Sequence, residues 1–294
     1  MKKYILFLTA VFLSVNIFAY DRDYSAIQKQ QEKEEGKKFL FRDVFGNEFK
    51  TVINPKVPEP EVKKEQFKLN GTKMTFVPES STAGSPCYMI RLGVDISRHD
   101  GEVDWKKLKK DGIDFVILRC GYRGYQSGKL KADENFQANI KGALEAGLDV
   151  GVYIFSQAAS EKEALEEAAL CLEQIRGHKI TLPVFYDPEI IRDDPARSDN
   201  ISGEQFTKNA VAFCEAIKKA GFVPGVYSNM LWEAYEFDMS IIKDYVIWYA
   251  DYEPQPQTPY NYEFWQYAEK DGDIKAPYDM DIQVIKYYTL KDAE

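Results

Sequence analysis

The sequence predicts an α/β fold: an irregular TIM-like (β/α) barrel of eight strands with about five helices, preceded by an N-terminal extension with a β-hairpin. Three observations predict it. From residue 89 onward, eight short apolar, β-rich runs recur, at 92–97, 115–121, 150–156, 182–186, 223–228, 246–249, 264–267 and 281–285. Helical segments with start and stop signals separate the early runs. Two units repeat each other, Ala146-Gly-Leu-Asp-Val-Gly-Val-Tyr153 and Ala220-Gly-Phe-Val-Pro-Gly-Val-Tyr227, sharing helix end, turn and strand. Alternating strands and helices with near-continuous apolar strands point to a parallel sheet. Tight spacing of the last three runs points to irregular closure. An open doubly wound sheet is the rival, but Gly121, Gly124 and Gly128 have neither dinucleotide-loop nor phosphate-loop spacing.

In chain order, Lys2 and Lys3 precede an uncharged run from Tyr4 to Ala19. Its 16 residues fall short of the roughly 20 of a membrane helix, so residues 1–19 read as a signal peptide, with an uncleaved anchor as the alternative. The expected location is therefore outside the membrane, in a periplasm or the extracellular space. Residues 20–87 form an extension and linker of different texture, with 12 basic and 11 acidic side chains against 24 and 36 over residues 88–294. Within it, 67–76 alternates apolar and polar residues around Asn70-Gly71, the strongest short hairpin signal. The catalytic barrel is assigned to 88–294. Asn135 to Ala146 puts Phe136, Ile140, Ala143 and Leu144 on one helical face and stops at Gly147. Ser160 with Glu163, and Ser202 with Gln205, open two more helices as capping boxes.

Composition excludes much chemistry. A net charge of −9 argues against a nucleic-acid partner, which needs clustered Lys and Arg. The two histidines cannot make a three-histidine zinc site, and the four cysteines show no C-x-x-C spacing. No cofactor and no metal are expected, and the cysteines suit buried apolar positions as well as bridges.

In a barrel of this kind, chemistry sits at the carboxyl ends of the strands. Those ends carry Asp95, the triplet Asp187-Pro188-Glu189, and Asp281. Residues i and i+2 of a strand share a face, so Asp187 and Glu189 should point into the mouth together. Converging carboxylates suit glycoside hydrolysis, where one acid stays protonated and others stabilise an oxocarbenium-like transition state. Tyr153, Tyr227, Trp248, Trp265, Gln266 and Tyr267 are the candidate sugar contacts. Bland readings compete: a lone Asp at a strand end is usually a cap or turn former, paired acids also bind calcium, and aromatic strands are by default core. Asp95, Ser97 and His99 mimic a hydrolytic triad only in spacing, so His99 is read as a rim residue.

Several segments, in this order, match one family: Gly93-Val-Asp-Ile-Ser97, Phe115-Val-Ile-Leu-Arg119, Gly151-Val-Tyr-Ile-Phe155, Leu182-Pro-Val-Phe-Tyr-Asp-Pro-Glu189, Leu231-Trp-Glu-Ala-Tyr235, Trp265-Gln-Tyr267 and Asp281. Over about 200 residues the chain resembles the catalytic domain of glycoside hydrolase family 25, the lysozyme (muramidase) family. The resemblance implies hydrolysis of the β-1,4 bond between N-acetylmuramic acid and N-acetylglucosamine in peptidoglycan. It places the general acid on Glu189, with Asp187, Asp95 and Asp281 in support. Pro188, between the acids, and Gln283, two residues after the last Asp, depart from the family's usual residues. The implied partner is the peptidoglycan glycan strand, met by a monomer. Two other classes stay open: a glycosidase of the same fold acting on another acetamido-sugar polymer, and a non-catalytic glycan-binding barrel.

Overall fold

The structure, a computed structural model, describes residues 22–43, 46–79, 84–192, 194–270 and 272–288. The signal peptide expected over residues 1–19 lies outside them. The extension contains helix α1 (Ser25–Gln31) and two hairpins, β1 (Lys38–Arg42) with β2 (Glu48–Val52) and β3 (Phe67–Asn70) with β4 (Lys73–Phe76). There follow β5 (Pro86–Ile96), α2 (Trp105–Lys110), β6 (Phe115–Arg123), β7 (Leu130–Ala132), α3 (Phe136–Glu145), β8 (Asp149–Ser156), α4 (Glu161–Gln174) and β9 (Val184–Pro188). The chain continues with α5 (Gly203–Lys219), β10 (Pro224–Asn229), a π-helical turn (Trp232–Glu236), α6 (Met239–Ile242), β11 (Val246–Ala250), β12 (Phe264–Ala268) and β13 (Asp279–Tyr288).

Eight of these strands close a barrel in the order β5-β6-β8-β9-β10-β11-β12-β13, with β13 returning to β5. All neighbours run parallel except β13, which is antiparallel to both β12 and β5. Among the described residues no helix separates β12 from β13, and an antiparallel return needs none. This is the physical content of the tight spacing seen in the last three apolar runs. Around the barrel, the local signals act in part as the sequence predicts: the serine caps and the glycine stop form, but neither capping box closes, since Glu163 Oε2 accepts from Ala159 N–H and Arg197, and Gln205 Nε2 donates to Asn209 Oδ1. Ser160 Oγ caps α4 by accepting from Glu163 N–H, Ser202 Oγ caps α5 by accepting from Gln205 N–H, and Gly147 ends α3 at φ +75°.

Two cores result. An outer one lies between helices and strands, where α3 buries Phe136 and Ile140 and α5 buries Phe206, Phe213 and Ile217. An inner one fills the barrel with Phe115, Ile117, Tyr153, Phe185, Tyr227, Trp248 and Phe264. Its rings meet edge to face, Phe185 on Phe264 at 5.4 Å and Tyr227 on Trp248 at 4.8 Å, the favourable aromatic geometry. Glycines make room for them: a Cβ on Gly93 would lie 2.3 Å from the Phe115 ring, and one on Gly225 2.3 Å from the Phe185 ring.

The extension is seated on the barrel by the same apolar logic. Tyr24, Phe41, Val57, Val62, Phe67 and Met74 join the outer core. Tyr235 of the π-helical turn anchors the first hairpin, stacking on Tyr24 at 4.8 Å and donating its hydroxyl to Lys50 O at 2.7 Å. The second hairpin sets Phe67 edge-on against Trp265 at 5.3 Å. All four cysteines are buried free thiols, with Cys120 Sγ 3.2 Å from Cys171 Sγ. Among the described residues no helix is long and apolar enough to cross a membrane.

The interior packing makes a direct expectation. Gly225→Ala forces a methyl into the Phe185 ring, an overpacking that costs about 1–3 kcal/mol, so urea denaturation should show a lower midpoint with an unchanged slope. An unchanged midpoint would mean that the inner rings are not packed as described.

Candidate active site

One end of the barrel gathers carboxylates above the aromatic filling. β5 delivers Asp95, β9 delivers Asp187 with Glu189 just beyond its end, and β13 delivers Asp279 and Asp281. Because β13 runs antiparallel, its first residues, not its last, reach the mouth: Asp279 pairs with Asp95 and Asp281 with Gly93. Asp281 therefore comes from the amino-terminal part of its strand, one layer deeper than Asp95. Inward alternation also brings Arg119 of β6 and Gln266 of β12 to this end, above Ile117 and Phe264 respectively.

The polar contacts form a connected set. Gln266 Nε2 donates to Asp95 Oδ2 at 2.7 Å. Its Oε1 accepts from Tyr227 OH at 3.0 Å and Tyr252 OH at 2.9 Å. Two hydroxyl donors on one side fix the amide so that its NH2 faces Asp95. Trp248 Nε1 donates to Asp281 Oδ1 at 2.8 Å. The Asp281 charge bears on Asp95, and Asp281 Oδ2 is buried with no hydrogen-bond partner among the described residues. Arg119 Nε donates to Asp133 Oδ2 at 2.8 Å, and its guanidinium lies 5.5 Å from the centre of the Tyr122 ring.

Burial dominates the electrostatics. Asp281, Asp187 and Asp95 are 0%, 3% and 5% exposed. Loss of water pushes the Asp95 carboxyl well up, and the charges of Asp279 and Asp281 push it further, against the Gln266 amide. The Asp187 carboxyl is raised by burial and then by the Glu189 charge, with Arg119 opposing, and its Oδ1 is buried with no hydrogen-bond partner among the described residues. Glu189 is raised to about 7, again chiefly by loss of water; Arg119 opposes this, while Asp279 and Glu269 add to it. Its side chain is nonetheless exposed by surface area. Water on the open side screens part of the push, and a bound ligand would complete it. The Tyr153, Tyr227 and Tyr252 phenols are driven up by burial and by the nearby acids, so they stay protonated donors.

The structure thus brings Asp95, Asp187, Glu189, Asp281, Gln266, Tyr153 and Tyr227 together. Three expected sugar contacts are placed differently. Trp265 and Tyr267 face away from the mouth, in the outer core: Trp265 Nε1 donates to Asp251 O at 2.8 Å and Tyr267 OH to Thr72 O at 2.9 Å. Strand alternation is the reason, since Phe264 and Gln266 point inward and their neighbours must point out. Trp248 points inward but is only 1% exposed, a floor beneath Asp281 with no open face for stacking. Gln283 lies toward the opposite end, beside Arg91, whose Nη1 donates to it at 3.3 Å, so that departure does not touch the mouth. His99 sits in a 3-10 turn, its N–H bonded to Ser97 Oγ at 3.2 Å.

Four residues at the mouth were missed: Asp279, Arg119, Tyr252 and Glu269. Asp279 was within reach, being two residues before Asp281 and so on the same face. Arg119 stands two residues after an inward Ile117. Tyr252 and Glu269 follow strand ends in loops, where no period predicts direction. A cavity of about 260 Å³ opens from Glu189, Tyr227 and Tyr252. Among the described residues no group of three or more metal-ligating side chains is arranged to hold an ion.

The family model of glycosyl hydrolases family 25 matches residues 94–274. The autolytic lysozyme of Clostridium acetobutylicum is 24% identical over 179 residues, 60% of this chain and 50% of that protein. Among solved structures, the modular autolysin LytC of Streptococcus pneumoniae, in complex with a synthetic peptidoglycan ligand, is similar with a TM-score of 0.54 and 24% identity, covering 84% of this chain and 56% of that one. A family 25 glycosyl hydrolase from Bacillus anthracis is similar with a TM-score of 0.52 and 21% identity, over 69% of this chain and 90% of that one. The chain thus spans about half the length of the first two.

Carboxyls raised by folding make stability fall with pH. Below its unfolded value near 4 such a group is protonated in both states; the penalty grows as pH climbs from there to the folded value and is constant above it. Asp281→Asn keeps the acceptor for Trp248 and removes the charge. Its melting temperature should exceed that of the parent, by more at pH 8 than at pH 4, with about 2–4 °C for each kcal/mol recovered. An equal shift at both pH values would contradict the burial of a charge there.

Proposed function

The chain belongs to glycosyl hydrolases family 25, and from that premise we propose that it is an N-acetylmuramidase, a lysozyme that hydrolyses the β-1,4 bond between N-acetylmuramic acid and N-acetylglucosamine in peptidoglycan. One observation carries the reading. Asp187 and Glu189 come off the end of one strand into one mouth, with the Glu189 proton retained to about 7. An acid poised near neutrality is what protonation of a glycosidic oxygen requires.

Glu189, open on one side, donates that proton to the departing sugar oxygen. Asp187, buried beside it, stabilises the positive charge that develops on the other sugar, where low dielectric magnifies its effect. Asp95 and Asp281 flank the pair and position the sugar, and the Gln266, Tyr227 and Tyr252 chain holds Asp95 in place. Tyr153 and Tyr227, each with a narrow exposed edge, border the reacting sugar. With either Asp187 or the substrate's own acetamido oxygen as the nucleophile, Glu189 gives its proton to the leaving oxygen. The expected signal peptide and the peptidoglycan ligand of the related autolysin support action outside the membrane.

Mass analysis of fragments released from purified peptidoglycan tests the bond: new reducing muramic-acid ends are expected, whereas reducing glucosamine ends or no release would refute it. For the roles, Glu189→Gln should lower turnover by on the order of 10²–10⁴-fold or more while preserving folding and glycan binding. Asp187→Asn should be comparably severe, and Asp95→Asn and Asp281→Asn milder. Near-native activity in Glu189→Gln with none in Asp281→Asn would reverse the assignment.

A further inference from the structure

We propose that the amino-terminal extension supplies one wall of the substrate cleft, with Asn47 and Phe49 holding an N-acetylated sugar unit of the strand adjacent to Glu189. The proposal rests on the muramidase reading and adds a binding site outside the residues that match the family, which begin at 94. The cavity lined by Glu189, Tyr227 and Tyr252 is also lined by Tyr24, Asn47 and Phe49 of the extension. A glycan whose linkage oxygen meets Glu189 must continue through adjoining space, and this cavity adjoins it.

The wall has the chemistry of a sugar site. A pyranose offers an apolar C–H face and a polar rim of hydroxyl and acetamido groups, and it is met by an aromatic ring beside a planar amide. Phe49 is half-buried and Asn47 exposed. Asp43 orients the asparagine, its Oδ1 accepting from Asn47 N–H at 2.8 Å and its Oδ2 from Nδ2 at 3.1 Å. The charged lining is nearly balanced, Arg22 and Arg192 against Asp43, Glu189 and Glu269, which favours an uncharged sugar over an anionic peptide stem. At about 260 Å³ the space lies just below the usual range of ligand pockets, about 300–1,000 Å³, and suits a single ring.

The wall is also anchored, as a preorganised site requires. Tyr24 stacks on Tyr235, which also meets the Phe49 ring edge-on at 6.2 Å. Arg22 pairs with Glu236 at 3.0 Å. These contacts tie the extension to the turn that follows β10, the strand that carries Tyr227.

The test compares kcat/KM of the full chain on peptidoglycan-derived oligosaccharides of different length, long enough and too short to reach the wall. The parent should prefer the longer. Phe49→Ala and Asn47→Ala should each cut that preference by on the order of tenfold, mostly through KM, the size of one lost ring or amide contact. Leu40→Ala, on the exposed side of β1, should leave the preference unchanged. Unchanged preference in both wall variants, with parental melting curves, overturns the proposal. Faster cleavage of both substrates would also overturn it, by showing that the wall obstructs the cleft. Should Phe49→Ala fail to fold, the exposed Asn47→Ala decides. If the parent cleaves no oligosaccharide of any length, the muramidase reading itself fails.

Discussion

Closing eight strands into a barrel sends every second residue inward, and the rest of this molecule follows from how those inward positions are filled. At one depth they hold rings, Phe115, Phe185, Phe264 and Trp248, fitted edge to face with Gly93 and Gly225 giving way. One layer higher the same alternation brings Asp95, Arg119, Asp187 and Gln266 to the mouth. That ring layer is buried, with none of the four rings more than 1% exposed. The carboxylates are thereby dry on one side, and their protonation is governed by the protein around them.

That arrangement is costly to stability. Burying several carboxyls together raises all of them, and the main opposing charge at Asp187 and Glu189 is Arg119, itself engaged by Asp133. The remaining compensation is hydrogen bonding: Gln266 to Asp95, Trp248 to Asp281. Folding does not require such a cluster, since apolar residues would fill the mouth more stably. Its survival is the physical argument that the mouth performs chemistry, and it agrees with the usual trade of stability for activity at a working site.

How much of this was readable in the sequence depends on the range of the interaction. Buried parallel strands declare themselves as continuous apolar runs, so all eight barrel strands could be counted. Asp187 and Glu189 declare themselves because two-residue spacing on a strand means one face. The same rule reaches Asp279 from Asp281, but only once the last strand is known to begin before Asp281. Trp265 and Tyr267 were misplaced because aromatic character says nothing about which face a residue takes; Gln266 between them, bonded to Asp95, decides it. The docking of the extension was unreadable for another reason: Tyr24 and Phe67 find Tyr235 and Trp265, far along the chain, and no local pattern encodes that meeting.

Burial at the mouth holds a proton on Glu189 into the neutral range. Carboxyl titration followed by isotope-edited infrared or NMR spectroscopy, with Glu189→Gln identifying the signal, reads it without substrate. A carboxyl that titrates near 7 and is lost in the variant is expected. A Glu189 signal that titrates at the ordinary glutamate value of about 4.3 would contradict it.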